Sequence, residues 1–197
     1  MGILIILVTV LISIVAMGQD KWIDRFVFWP YVIKRKNEYW RFVTAGFLHA
    51  DWMHLLFNML SLYFFAELVQ ILLGDILFVA LYISSIAAAH VVSYVRHQND
   101  SSYRSLGASG AVSAIIFSAI LFLPQMQILV FFIKVPALLY GCLFVIYSLY
   151  MDQRDGIVNH MAHLSGAVYG LLFTIIVRPD ALLMFWKGLF EMRFDFF

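Results

Sequence analysis

Along the chain, long apolar runs alternate with short polar breaks, and the length of those runs predicts membrane-spanning helices. A helix rises 1.5 Å per residue, so roughly 20 apolar residues cross about 30 Å of hydrocarbon. Runs of this kind fall at about residues 3–18, 52–73, 76–95, 109–123, 127–150 and 160–177. The first and fourth are short, and the fourth closes at Pro124. No soluble domain, repeat or low-complexity tract separates them. The pattern therefore predicts an all-α membrane protein, a compact bundle of six transmembrane helices in which residues 1–197 form a single domain.

Composition strengthens that reading. Of 197 residues, 63% are hydrophobic and 13% charged, against about 45–50% and about 25% in soluble domains; the mean hydropathy is +0.90. A net charge of +1 without an extended basic run gives no footing for nucleic acid as a partner. Cys142 is the single cysteine, which excludes an intrachain disulfide. The run from Ile3 to Met17 ends at Ala16-Met17-Gly18, a loose likeness to a signal-peptide cleavage site. It has no positively charged leader, so it reads as the first spanning helix.

The first connection, Gln19 to Leu48, interleaves Trp22, Phe26, Phe28, Trp29, Tyr31, Tyr39 and Trp40 with Lys21, Arg25, Lys34, Arg35, Lys36 and Arg41. Aromatic rings mixed with long cations favour headgroup depth, so this segment is expected to lie in the membrane interface; a solvated loop packed on itself is the alternative. Its six basic residues bear on orientation. By the positive-inside rule alone, they place the N-terminus outside.

Polar side chains at membrane depth are expensive and point to function. In the second run, His54 and Asn58 are four apart and project from one helix face, where both could donate to a single oxygen. Interhelical hydrogen bonding explains an isolated pair equally well. The fourth run opens with Gly107-Ala108-Ser109-Gly110; its 15 residues to Leu123 span only about 22 Å. Such a helix begins below the membrane surface, and its free N–H groups suit a developing oxyanion. Small-residue helix packing is the competing explanation. The sixth run opens with His163, followed by Gly166 and Gly170 at the spacing that lets another backbone approach. A serine hydroxyl needs a base, and neutral histidine suits that task. In an alternating bundle the second, fourth and sixth helices begin at the same side, which gathers these groups on one membrane face. No acid completes a triad. The residues therefore read as a Ser109–His163 dyad, with His54, Asn58 and the Ser109 amide as oxyanion donors.

With these residues in view, the chain resembles the rhomboid family of intramembrane serine proteases. The motifs are Trp40-Arg41, His54-x-x-x-Asn58, Glu67 with Leu73-Gly74, Gly107-x-Ser109-Gly110, and Ala162-His163-x-x-Gly166-x-x-x-Gly170. The resemblance implies that Ser109 is the nucleophile and His163 the general base, acting without a cofactor or metal on transmembrane protein substrates in the lipid bilayer. It assigns supporting roles to His49, which anchors the first connection, and to Arg41, Glu67, Gly107, Gly110, Gly166 and Gly170. It implies a cytosolic N-terminus, an active site facing the extracytoplasmic side of a plasma (inner) membrane, and a six-helix core without a seventh. One departure stands out: Ser113 occupies a position where bacterial members carry a tyrosine that packs on the catalytic histidine.

Other intramembrane chemistries fit poorly. His-Glu-x-x-His is absent, and neither Leu73-Gly74-Asp75 nor Tyr150-Met151-Asp152 matches the aspartyl type. A metal site built from His49, His54, His160 and His163 lacks a carboxylate or thiol to complete it. An inactive rhomboid-like protein that binds membrane clients is the alternative from another class, and a small transporter is a third.

Overall fold

The computed structural model describes residues 1–130, 133–151 and 159–191. Ten α-helices, a 3-10 turn and two strands occupy them in this order: α1 (Gly2–Met17), α2 (Asp20–Phe26), α3 (Pro30–Lys36), α4 (Arg41–Thr44), the turn Ala45–Phe47, α5 (Trp52–Leu73), α6 (Asp75–His97), α7 (Ser109–Phe122), β1 (Gln127–Val130), β2 (Ile133–Pro136), α8 (Ala137–Met151), α9 (His160–Val177) and α10 (Ala181–Phe190). By length and composition, α5, α6 and α9 are able to cross a membrane. The apolar helices α1, α7, α8 and α10 are shorter, at 10–17 residues.

At the centre stands α7. Every residue from Gly110 to Phe122 is buried, the mark of a helix that is apolar all round and packed all round. It is surrounded by α9, α5, α6, α8 and α10, with α9 in the most extensive contact. Glycine is needed along that seam. A Cβ on Gly166 would collide with the Gly110 carbonyl, and one on Gly170 with the Ala114 carbonyl, so the two backbones touch without side chains between them. Thr174 ties the seam further along, donating to Ser118 Oγ at 2.7 Å or to the Gly170 carbonyl at 2.7 Å. A single residue, Gly74, turns α5 into α6; its φ of +80° is a conformation that only glycine adopts freely.

The expected fifth span, 127–150, is corrected by the structure. Its first ten residues contain an antiparallel hairpin pairing Gln127 with Pro136 and Val130 with Ile133, and the helix begins only at Ala137. Ile128, Val130, Ile133 and Val135 are β-branched, and Pro136 drives Val135 to extended backbone. An apolar run has no period that separates such strands from buried helix. Four further helices lie outside the expectation. The first connection carries helices α2, α3 and α4, and α10 follows the last expected span.

The first connection is clamped by one buried cation. Arg41, 5% exposed, donates to Glu38 Oε2 at 2.6 Å and to the carbonyls of Asp24 at 2.8 Å and Val27 at 3.0 Å. Phe28 and Ser105 exchange two backbone hydrogen bonds at 3.0 Å, stitching this connection to the segment before α7. Arg104 packs over the Trp29 ring at 3.9 Å and pairs with Asp24 at 2.6 Å.

Candidate active site

Ser109 is the first residue of α7, and His163 lies in the first turn of α9. Gly110 follows the serine and Gly166 lies one turn after the histidine, so the glycine contact that lets α7 meet α9 adjoins both groups. Ser109 and His163 line one cavity of about 760 Å³, together with His54 and Asn58 of α5, Gly107 and Ser113. Three helices thus bring the four expected polar groups to one space.

His54 is fixed from two sides. Asp51 caps α5 by accepting from the His54 amide at 2.8 Å, a conventional N-cap. The imidazole lies over Gly107: a Cβ there would sit 2.6 Å from Cε1 and 2.7 Å from Nε2 of His54. Gly107 also has φ +123°, so backbone and space both call for glycine. One turn deeper, Asn58 is 6% exposed and donates from Nδ2 to the His54 carbonyl at 2.9 Å. Its amide holds a second N–H for the cavity.

His49 is fully buried and reads as a neutral ring by its partners. The Ala108 amide donates to Nε2 at 3.4 Å, which leaves the proton on Nδ1. That Nδ1–H faces Ser13 Oγ at 2.9 Å, and the Ser13 hydroxyl donates onward to the Phe47 carbonyl at 2.8 Å. The chain of bonds links α1, the 3-10 turn and the residue before Ser109. Burial, aided by His54, lowers the His49 pKa from 6.5 to about 3, with Asp51 opposing, so the ring is neutral at neutral pH. Its edge meets the His54 ring at 5.0 Å.

Two groups absent from the sequence reading support the mouth of α9. Asn159 caps it, accepting from the Ala162 amide at 3.0 Å; it also accepts from Ser93 at 3.0 Å and donates to Ser105 at 3.2 Å. An asparagine just before a helical run is a legible cap signal, but its two long-range partners are not legible. The other is Phe144 of α8, whose ring stacks on His163 at 6.0 Å and 29°. Ser113 turns back along α7 and donates to the Ser109 carbonyl at 2.8 Å. Glu67 is exposed on α5 and, among the described residues, makes no hydrogen bond or ion pair; Arg41 pairs with Glu38. Among the described residues no three His, Cys, Asp or Glu side chains cluster as metal ligands would.

A helical membrane protein with a largely apolar cavity that gathers a few polar side chains between its helices is the class that fold and site define. Comparison narrows it: the Rhomboid domain profile matches residues 36–180, and the chain belongs to the rhomboid family. It is 30% identical over 140 residues to "Putative rhomboid protease YdcA" of Bacillus subtilis, covering 71% of this chain and 68% of that one. It is 32% identical to RHOMBOID-like protein 12, mitochondrial, of Arabidopsis thaliana, over 69% of this chain and 46% of that one. It is 31% identical to the presenilin-associated rhomboid-like protein, mitochondrial, of Mus musculus, over 66% of this chain and 36% of that one. The chain thus spans half or less of the plant and mouse relatives, whose names place them in mitochondria.

Proposed function

We propose that this rhomboid is a serine endopeptidase that cleaves peptide bonds in or near the transmembrane segments of other membrane proteins. The observation that carries the proposal is the shared cavity of Ser109, His163, His54 and Asn58. Ser109 Oγ attacks the scissile carbonyl carbon while a ring nitrogen of His163 takes the hydroxyl proton. His54, the free N–H of Asn58 and the Ser109 amide at the start of α7 stabilise the oxyanion. Collapse breaks the C–N bond, and His163 returns its proton to the departing amine. Water, deprotonated by His163, then hydrolyses the acyl ester and frees Ser109. No metal or cofactor enters this scheme. The substrate must unwind locally, since a helix shields its own carbonyls, so small or helix-destabilising residues are expected near the cut.

The reading treats residues 1–197 as a single domain with a six-helix core of α1, α5, α6, α7, α8 and α9. It gives His49, Arg41, Gly107, Gly110, Gly166 and Gly170 supporting roles through the contacts described above, and retains Glu67 as a family position without such a contact. We place the protein in a plasma (inner) membrane, N-terminus in the cytosol and cavity toward the extracytoplasmic side, with the basic first connection lying in the interface. A cytosol-facing Asn159 in a cysteine-accessibility map would contradict that orientation.

A fluorophosphonate probe tests the chemistry. The wild type should be labelled and Ser109→Ala should not. Labelling that survives Ser109→Ala removes the nucleophile from the scheme, and a wild type that never labels favours client binding without catalysis.

A further inference from the structure

The general base of the proposed dyad has an unusual support. Among the described residues no hydrogen bond holds either ring nitrogen of His163, so no carboxylate or carbonyl fixes the plane of the imidazole. Two rings touch it instead. His160, from the same helix, meets it edge-on at 5.7 Å and 75°. Phe144, from α8, lies along its face at 6.0 Å and 29°, within the range of an offset stack. The central helix offers no ring there: Ser113, one turn beyond Ser109, is bonded to the Ser109 carbonyl. The next α7 ring, Phe117, packs on Phe144, at 5.7 Å.

Phe144 is itself held in place. Tyr140, one turn earlier on α8, packs beside it at 6.4 Å, and Phe117 backs it from the buried helix. Tyr140 and Phe144 also line the cavity that contains Ser109 and His163. The outward face of α8, with Leu139, Leu143 and Ile146, is exposed, so the helix touches the bundle through this aromatic side. Phe144 is thus the contact by which α8 reaches the reacting pair.

We propose that Phe144 is a positioning residue: its ring fixes the plane of the His163 imidazole so that a nitrogen faces Ser109 Oγ. The inference rests on the proposed dyad and adds α8 to its machinery. An imidazole free to rotate about its side-chain bonds spends most of its time misdirected, and general-base catalysis is worth about 10²–10⁴-fold only when the base is aimed. Loss of the ring is therefore expected to slow activation of Ser109 by about tenfold, while probe binding in the cavity is little altered.

The test measures labelling of the full chain by a fluorophosphonate probe across concentrations, which separates the limiting rate from half-saturation. Phe144→Ala should lower the limiting rate about tenfold with half-saturation within about twofold. Phe144→Tyr should retain the wild-type rate. Phe144→Leu, which keeps most of the volume without the ring, should fall with alanine, and it carries the comparison if the alanine variant does not fold. An unchanged limiting rate, a leucine variant as fast as tyrosine, or an effect confined to half-saturation overturns the proposal. A wild type that never labels at Ser109 sinks the dyad and this inference together. A labelled wild type with an indifferent Phe144 sinks this inference alone.

Discussion

Gly166→Ala is the sharpest perturbation available, because its consequence can be worked from the α7–α9 seam. A Cβ on Gly166 would stand 2.8 Å from the Gly110 carbonyl carbon and 3.0 Å from its Cα, with the carbonyl oxygen closer still. Carbon atoms settle at about 3.5–4.0 Å, so α9 must retreat from α7 by about 1 Å. The obstacle is backbone, and no rotamer change relieves it. Overpacking of this kind destabilises by about 1–3 kcal/mol. The gap opens beside the reacting pair, since Ser109 adjoins Gly110 and His163 precedes Gly166 by one turn. Misplacing catalytic groups by about 1 Å lowers rates by about 10²-fold. Fluorophosphonate labelling per mole of folded protein is the assay, with a melting curve to register the stability loss. Gly18→Ala is the control: it has φ −87° and no heavy atom within 4 Å of a built Cβ, so neither readout should move. A Gly166→Ala protein that labels within about threefold of wild type would refute the geometric reasoning.

His49 gives a pH signature. Its folded pKa of about 3 lies below the ordinary 6.5, so between those values the unfolded chain binds the proton that the folded chain refuses. Stability is full above pH 6.5 and falls as the pH drops toward 3; at pH 5 the loss is about 2 kcal/mol. His49→Gln should abolish that portion of the pH slope in detergent melts, and an unaltered slope would exclude the buried neutral ring. Arg41→Ala strands Glu38 and two carbonyls in the first connection and should destabilise the fold by about 3 kcal/mol, read as lower melting and faster proteolysis between residues 19 and 48. Asn58→Ala should lower labelling or turnover by at least about tenfold if its free N–H meets the oxyanion; an unchanged rate removes that donor.

Much of the site was written in the order of the residues. The spacing of His54 to Asn58 sets one helix face, and Ser109 opens a short apolar run. Gly166 and Gly170 stand at the period of close helix contact, and the structure sets them against Gly110 and Ala114. These are local patterns, fixed by 3.6 residues per turn. The ends of α5, α7 and α9 fall within a residue of expectation for the same reason.

What the sequence could not carry were pairings between distant residues and the choice between strand and helix in a run with no period. Residues 127–136 are mostly apolar and suited to either; the hairpin forms because two extended arms, Gln127–Val130 and Ile133–Pro136, pair backbone to backbone. Arg41 meets Glu38 because the fold buries it beneath the first connection, while Glu67 stays exposed on α5. Ser13 meets His49, Asn159 meets Ser93 and Ser105, and Phe144 meets His163 across sequence gaps that no local period spans. The sequence by itself determined the extents of α5, α7 and α9 and the faces on which their polar groups and glycines stand. Only the tertiary structure decided which side chains share a contact, because that depends on where separate helices cross in space and not on the turn of any one of them.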